Sequence, residues 1–190
     1  MPDCARLSCI LLAAGESRRF GGNKLEVALN GKMLGLHAAE NLAAMGFGAM
    51  VAVGNTRNTL LNPALSQLGF RLVINPDPSA GQAGSLALGV KALADSDWDG
   101  ILVALADMPY VSGQHLTALV KGFANSGKSH CSSNGIAKMP PAIFARSDWP
   151  QLTGLSGDQG ARGMLADTIS IMAEVATLQD IDLPDDIPAP

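Results

Sequence analysis

LLAAGESRRFGGNK, residues Leu11–Lys24, is the stretch whose reading decides the fold. It continues a short apolar run, Leu7–Leu12, which reads as a buried strand. The run then gives way to Gly15, Ser17, Arg18, Arg19, Gly21, Gly22 and Lys24. Glycine lets backbone N–H groups turn sharply or come close to a ligand. A strand that ends in such a loop, with cations clustered behind it, can hold a polyphosphate. The loop is not a Walker A sequence, because Asn23 separates Gly22 from Lys24 and Leu25 follows the lysine. Nor does it fit G-x-G-x-x-G. A solvated glycine-rich turn with its arginines in water fits the same residues.

The chain has 190 residues, 47% of them hydrophobic and only 4% aromatic. That length suits a single domain spanning 1–190, with a core of Ala, Leu, Val, Ile and Met. No apolar run reaches membrane-spanning length, and the N-terminus lacks the apolar centre of a signal peptide. A net charge of −4 argues against general nucleic-acid binding. The three cysteines form no C-x-x-C, so neither a disulfide framework nor a zinc site is expected, and a reducing cytoplasm fits. His37, His115 and His130 lack metal-ligand spacing and read as ordinary structural histidines.

Beyond the loop, the pattern predicts a helix over Leu34–Met45, ended by Gly46, and a strand over Ala49–Val53. A helix over Thr56–Leu68, interrupted near Pro63, and a strand over Arg71–Ile74 follow. Asn75–Ser85 reads as a loop, with Ser85 capping a helix over Leu86–Ala94. Gly100–Ala106 is the clearest strand and runs into Asp107-Met108-Pro109; Ser112 caps a helix to about Phe123. Ser129–Ser133 and Ala142–Ala145 read as strands, the second antiparallel and preceded by Pro140-Pro141. Asp158 reads as an N-cap paired with Arg162 at the start of a short helix, before a last strand at Ile169–Val175. The tail from Asp180 reads, taken alone, as a frayed acidic terminus.

Alternating apolar strands and helices imply a mostly parallel α/β sheet covered by helices. Such sheets bind ligands beyond the carboxyl ends of their strands. The loop Gly15–Lys24 and Asp107–Pro109 both leave such ends and belong on one rim. A carboxylate there suits Mg²⁺, which keeps several waters and bridges phosphate oxygens; a turn-initiating aspartate fits it too. Cations, a metal-binding carboxylate and no evident nucleophile together suggest nucleotidyl transfer by positioning and neutralisation.

These residues carry a resemblance. L-A-A-G-x-S-x-R-x-G-x-x-K is Leu12–Lys24, G-x-x-x-S-L-x-x-G is Gly81–Gly89, and D-x-P is Asp107–Pro109. L-x-G-D-x-G-A-R is Leu155–Arg162, and D-I-D-x-P-x-D is Asp180–Asp186. In this order the sequence resembles the molybdenum cofactor nucleotidyltransferases, most closely their cytidylyltransferase branch. The resemblance implies a Rossmann-like nucleotide-binding fold of the nucleotide-diphospho-sugar transferase type, with helices on both faces. It implies Mg²⁺-dependent transfer of CMP from CTP to the terminal phosphate of molybdopterin, releasing pyrophosphate.

Carried over by motif, Arg19, Lys24 and Asp107 would be catalytic. Ala13, Ala14, Gly15, Ser17, Arg19, Lys24, Gly84 and Ser85 would bind the nucleotide. Asp107 and Asp182 would hold the metal, and Gly157, Asp158 and Arg162 would form the acceptor side. The implied partners are a nucleoside triphosphate and a molybdopterin-type cofactor, with a molybdoenzyme or its maturation factor as a candidate recipient. Neither nucleic acid nor membrane is expected. The branch choice rests on Ala14, where the guanylyltransferase branch tends to have glycine. Phe20 replaces a usual methionine, Leu183 a common threonine, and Ser133–Phe144 departs from the usual G-x-x-G-x-P-x-x-F pattern. Another nucleotide or phosphorylated acceptor, a cofactor-delivery protein, and a redox enzyme on the same scaffold are the competing readings.

Overall fold

A computed structural model describes residues 4–17, 19–155 and 161–187. The first strand, β1 (Leu7–Leu12), is buried along its whole length. After the glycine loop and one 3-10 turn, β2 (Ala28–Leu29) and β3 (Lys32–Met33) form a small hairpin. Its turn is Asn30-Gly31, both at positive φ, the Asn-Gly choice that a two-residue hairpin favours. Then come α1 (Leu34–Ala43), β4 (Ala49–Gly54), α2 (Leu61–Gln67), β5 (Arg71–Ile74), α3 (Gly81–Leu93) and β6 (Gly100–Leu105). The second half contributes α4 (Gly113–Ser126), β7 (His130–Ser133), β8 (Lys138–Ala145), α5 (Trp149–Thr153), α6 (Arg162–Leu165) and β9 (Ile169–Met172).

The main sheet has the order β5-β4-β1-β6-β8-β7-β9. β1 pairs in parallel with β4 and β6, β5 extends the parallel half, and β8 runs antiparallel to both of its neighbours. Side chains alternate across a strand, so β1 feeds two cores. Cys9 and Leu11 pack with α1, α2 and α4, while Ile10 and Leu12 pack with α3, α5 and α6. This is the mostly parallel α/β sheet that the periodicity predicts, with helices on both faces. No helix among the described residues is long and apolar enough to cross a membrane.

Four local expectations are corrected. Pro63 does not interrupt a helix, because α2 begins at Leu61 and the proline falls in its first turn, where N–H groups have no intrahelical partner. Ser85 is not a cap, because α3 begins at Gly81 and Ser85 lies in its second turn. Gly89 of that helix serves packing: a Cβ there would come within 2.8 Å of Ile10 Cγ2 and 3.2 Å of Val53 Cγ2. Pro140 and Pro141 lie inside β8 rather than before it. The register passes from Cys131 opposite Ala142 to Ser132 opposite Met139, so neither proline needs a ladder N–H. Finally, the acidic tail is not frayed through the described residues, since Ile181 is fully buried and its N–H donates to Asp107 O at 2.9 Å. The proposed Asp158 cap lies outside the described residues.

Candidate active site

The carboxyl ends of β1, β4 and β6 meet at one rim, as the shared register of Leu12 with Val53 and Leu105 requires. Behind the glycine loop stand two buried asparagines from the segment after β4. Asn58 Nδ2 donates to Ala13 O at 2.7 Å, and Asn55 Nδ2 donates to Ala14 O at 3.0 Å. Asn55 is itself held by Arg57 N at its Oδ1, while Asn62 Nδ2 donates to its carbonyl. A trans peptide is planar, so its C=O and N–H point in opposite directions. Pinning the carbonyls of Ala13 and Ala14 toward the asparagines therefore turns the N–H groups of Ala14 and Gly15 away from them. Both residues line the neighbouring cleft, and the position a Cβ would take on Gly15 is open space. Ser17 holds a positive φ of 53° in the same loop.

Lys24 opens a 3-10 turn directly after the loop, and only 8% of its side chain is exposed. Its Nζ lies 2.8 Å from Asp107 Oδ2, 2.9 Å from Asp182 Oδ1 and 2.8 Å from Ile181 O. Burial by itself would lower the lysine pKa, but Asp107 and Asp182 outweigh it and the pKa is raised. Arg19 Nη1 reaches the other oxygen of Asp182 at 3.3 Å from a largely exposed position. Asp182 is fixed in turn from its C-terminal side, where Asp186 Oδ2 accepts from the N–H groups of Asp182 and Leu183. A carboxylate 158 positions away in sequence, Asp182, thus meets the Lys24 ammonium together with Asp107.

These groups line a cleft of about 470 Å³, together with Ser85, Gln82, Arg162 and Asp180. Of the residues expected at the nucleotide site, Ala14, Gly15, Ser17, Arg19, Lys24 and Ser85 reach the cleft. Ala13 lies behind it and is buried, and Gly84 is not part of its lining. The Ser85 hydroxyl accepts from Asn75 Nδ2 at 2.9 Å, which ties α3 to the end of β5. Gly157 and Asp158 fall outside the described residues.

A second cavity of about 600 Å³ adjoins the first and shares Leu12, Gln82, Leu105, Arg162 and Asp180 with it. It is walled by Met108, Met139, Phe144 and Leu178. Because β8 is antiparallel, its first residues lie beside the carboxyl end of β6, so the unusual Ser133–Phe144 segment faces this cavity. Lys138 lines it too, but its ammonium donates to Ala166 O and Thr168 O, each at 2.7 Å.

Sequence reasoning missed Asn55, Asn58 and Gln82, and it gave Asp180 no role of its own. Asp180 stands where the two cavities meet, and its pKa is raised by burial and by the charges of Asp182 and Asp107. One available signal was position: Asn55 directly follows the apolar β4 on the same rim as Asp107.

Asp107 and Asp182 present hard oxygens that already converge on a cation, the Lys24 ammonium, which is the donor chemistry a divalent ion requires. Among the described residues no group of three or more His, Cys, Asp or Glu side chains is arranged to hold a metal. A divalent ion on this pair would complete its shell with water and phosphate oxygens.

The model of the MobA-like NTP transferase domain matches residues 9–174. The chain belongs to the MobA-like NTP transferase family. This is a nucleotidyltransferase family. The chain is 31% identical to the "Purine catabolism protein PucB" of Bacillus subtilis, covering 93% of this chain and 92% of the relative. It is 29% identical to a "Probable molybdenum cofactor guanylyltransferase" of Pyrococcus horikoshii, over 74% and 70% of the two chains. In fold it is similar to Rv0371c of Mycobacterium tuberculosis, with a TM-score of 0.81 at 21% identity over 95% of each chain. A manganese complex of that protein superposes with a TM-score of 0.74 at 19% identity over 95% of each chain.

Proposed function

We propose that this MobA-like protein transfers CMP from CTP to the terminal phosphate of a molybdopterin-type acceptor and releases pyrophosphate, with Mg²⁺ as its metal. The observation that carries the reading is the convergence of the glycine loop, Arg19, Lys24, Asp107 and Asp182 on a cleft continuous with a second cavity. An acceptor phosphate oxygen forms a bond to the α-phosphorus as the bond from that phosphorus to the β-phosphate oxygen breaks. Negative charge moves onto the departing pyrophosphate. The Ala14 and Gly15 N–H groups and the Arg19 guanidinium are donors fixed beforehand for that charge, which is how such sites lower a barrier. Arg162, common to both cavities, is the cation suited to the acceptor phosphate. Asp107 and Asp182 would hold the Mg²⁺, which when bound neutralises phosphate oxygens.

The reading of CTP over GTP rests on Ala14, a residue that lines the cleft and whose methyl would leave less room there for a purine than glycine would. The likeness to a guanylyltransferase favours GTP as the second reading. Pyrophosphate release, measured with each of the four NTPs and Mg²⁺, with and without molybdopterin, tests both. Acceptor-dependent release greatest with CTP is the expected result. Release greatest with GTP would replace the first reading with the second, and no release with any pair would remove both.

A further inference from the structure

An ammonium has three N–H donors, and the Lys24 ammonium is already engaged by three protein oxygens: it donates to Asp182 Oδ1 and Ile181 O and is ion-paired with Asp107 Oδ2 at 2.8 Å. In this arrangement the ammonium is turned toward protein oxygens rather than toward a phosphate. The two carboxylates that suit a divalent ion are the same two that this lysine joins. One ammonium between two carboxylates leaves a net charge of −1, whereas a dication in its place gives neutrality and frees the ammonium for an anionic ligand. Arg19 does not fill the gap, because it reaches only the outer oxygen of Asp182.

We propose that Lys24 is the resident cation of the metal site, so that a divalent ion and the Lys24 ammonium occupy Asp107 and Asp182 in exchange. In the metal-free protein the lysine holds the two carboxylates together. Once exchanged, it carries its charge toward the phosphates beside it. The lysine thus acts as a positioning residue first and a phosphate ligand second. The inference rests on the proposed metal-dependent nucleotidyl transfer, but it concerns the protein without nucleotide.

An internal competitor weakens apparent affinity by the fraction of molecules in which it has moved aside. Minor states of this kind are populated at roughly 0.1–10%, so removing the competitor is expected to tighten metal binding about tenfold or more. Mn²⁺ is titrated into the protein without nucleotide or acceptor, with free ion read by electron paramagnetic resonance. Lys24→Met keeps the buried aliphatic length and removes the charge. The expected result is at least about tenfold tighter Mn²⁺ binding by Lys24→Met than by wild type, and a lowered melting temperature that Mn²⁺ restores. Equal or weaker binding overturns the proposal. A lysine that merely supported the fold would lower stability without tightening metal binding. If Lys24→Met does not fold, acetylation of Lys24 in the wild-type protein is followed by peptide mass spectrometry, with and without saturating Mg²⁺ at matched ionic strength. Acceleration by Mg²⁺ supports exchange, and an unchanged rate overturns it. Neither measurement contains a nucleotide, so failure of the CTP reading and failure of the exchange are told apart.

Discussion

Asn58→Ala tests whether the glycine loop is held from behind. The Asn58 side chain is almost fully buried and donates to Ala13 O at 2.7 Å. Truncation removes that bond and deprives the buried Ala13 carbonyl of this donor, at a cost of about 1–3 kcal/mol. The same peptide determines where the Ala14 N–H points, so its loosening should also weaken nucleotide binding. A ligand at 100 times its Kd stabilises a protein by about 2.7 kcal/mol, and a tenfold loss of affinity cuts this to about 1.4 kcal/mol. Urea unfolding with and without CTP and Mg²⁺ measures both quantities. Asn41→Ala is the control: its Nδ2 donates to Val111 O at 2.9 Å on another part of the molecule. It should lower stability while leaving the ligand increment intact. The reasoning is refuted if Asn58→Ala stays within about 0.5 kcal/mol of wild type, the ordinary range for inconsequential surface changes. It is equally refuted if both variants keep the full increment.

Four further outcomes are expected. Arg19→Ala should lower kcat about 10²–10³-fold, as loss of a preorganised donor does, while melting unchanged, because its ion pair is largely exposed. Asp107→Asn and Asp182→Asn should raise the Mg²⁺ requirement of pyrophosphate release; a Mg²⁺ titration unchanged for Asp182→Asn would leave that residue a tail residue only. Burial lowers the His115 pKa below its ordinary value, so the folded state resists its protonation. Its share of stability is therefore present above about pH 6.5 and lost as pH falls through the folded value, and His115→Gln should flatten that acid limb in melts from pH 5 to 8. Ala14→Gly should relax the CTP-to-GTP ratio of kcat/KM by part of the roughly 1–3 kcal/mol that one methyl in a pocket is worth, and an untouched ratio in competition kinetics would make Ala14 a lineage marker.

What was legible from sequence was whatever depends on local pattern. The apolar run Leu7–Leu12 is β1 to the residue, and Ser112 caps α4 by accepting from His115 N. Two loops placed at strand ends by periodicity alone do meet at one rim, where Lys24 contacts Asp107. What was not legible depends on partners distant in sequence. Gly81 and Gly84 read as loop residues, yet α3 runs through them because Ala83, Leu86 and Val90 bury its face. Asn55 and Asn58 carry no motif, and their function is visible only in carbonyls more than 40 positions earlier. The tail reads as solvated because four aspartates lie within seven residues. Ile181, buried between Asp180 and Asp182, is the residue that draws the segment inward.

That inward draw couples the two halves of the site. Ile181 N donates to Asp107 O, so the segment bearing Asp182 is pinned to the strand end bearing the other carboxylate. One backbone bond sets the approach of two side chains to a single Lys24 nitrogen. The same segment enters this contact through Leu178, Gln179 and Asp180, which wall the second cavity. The opposite wall of that cavity comes from β8, where the sequence departs from its resembled pattern, and its two prolines lie in the register shift against β7. The parallel strands therefore fix the part of the site proposed to handle phosphate, since their ends are locked by ladder and loop bonds. The antiparallel strand and the C-terminal turn shape the second cavity, the one proposed for the acceptor. Substitutions at Met139 or Leu178 can reshape the second cavity without touching the Lys24, Asp107 and Asp182 contacts. On the proposed reading, acceptor choice can therefore change while the contacts of the first cleft are kept.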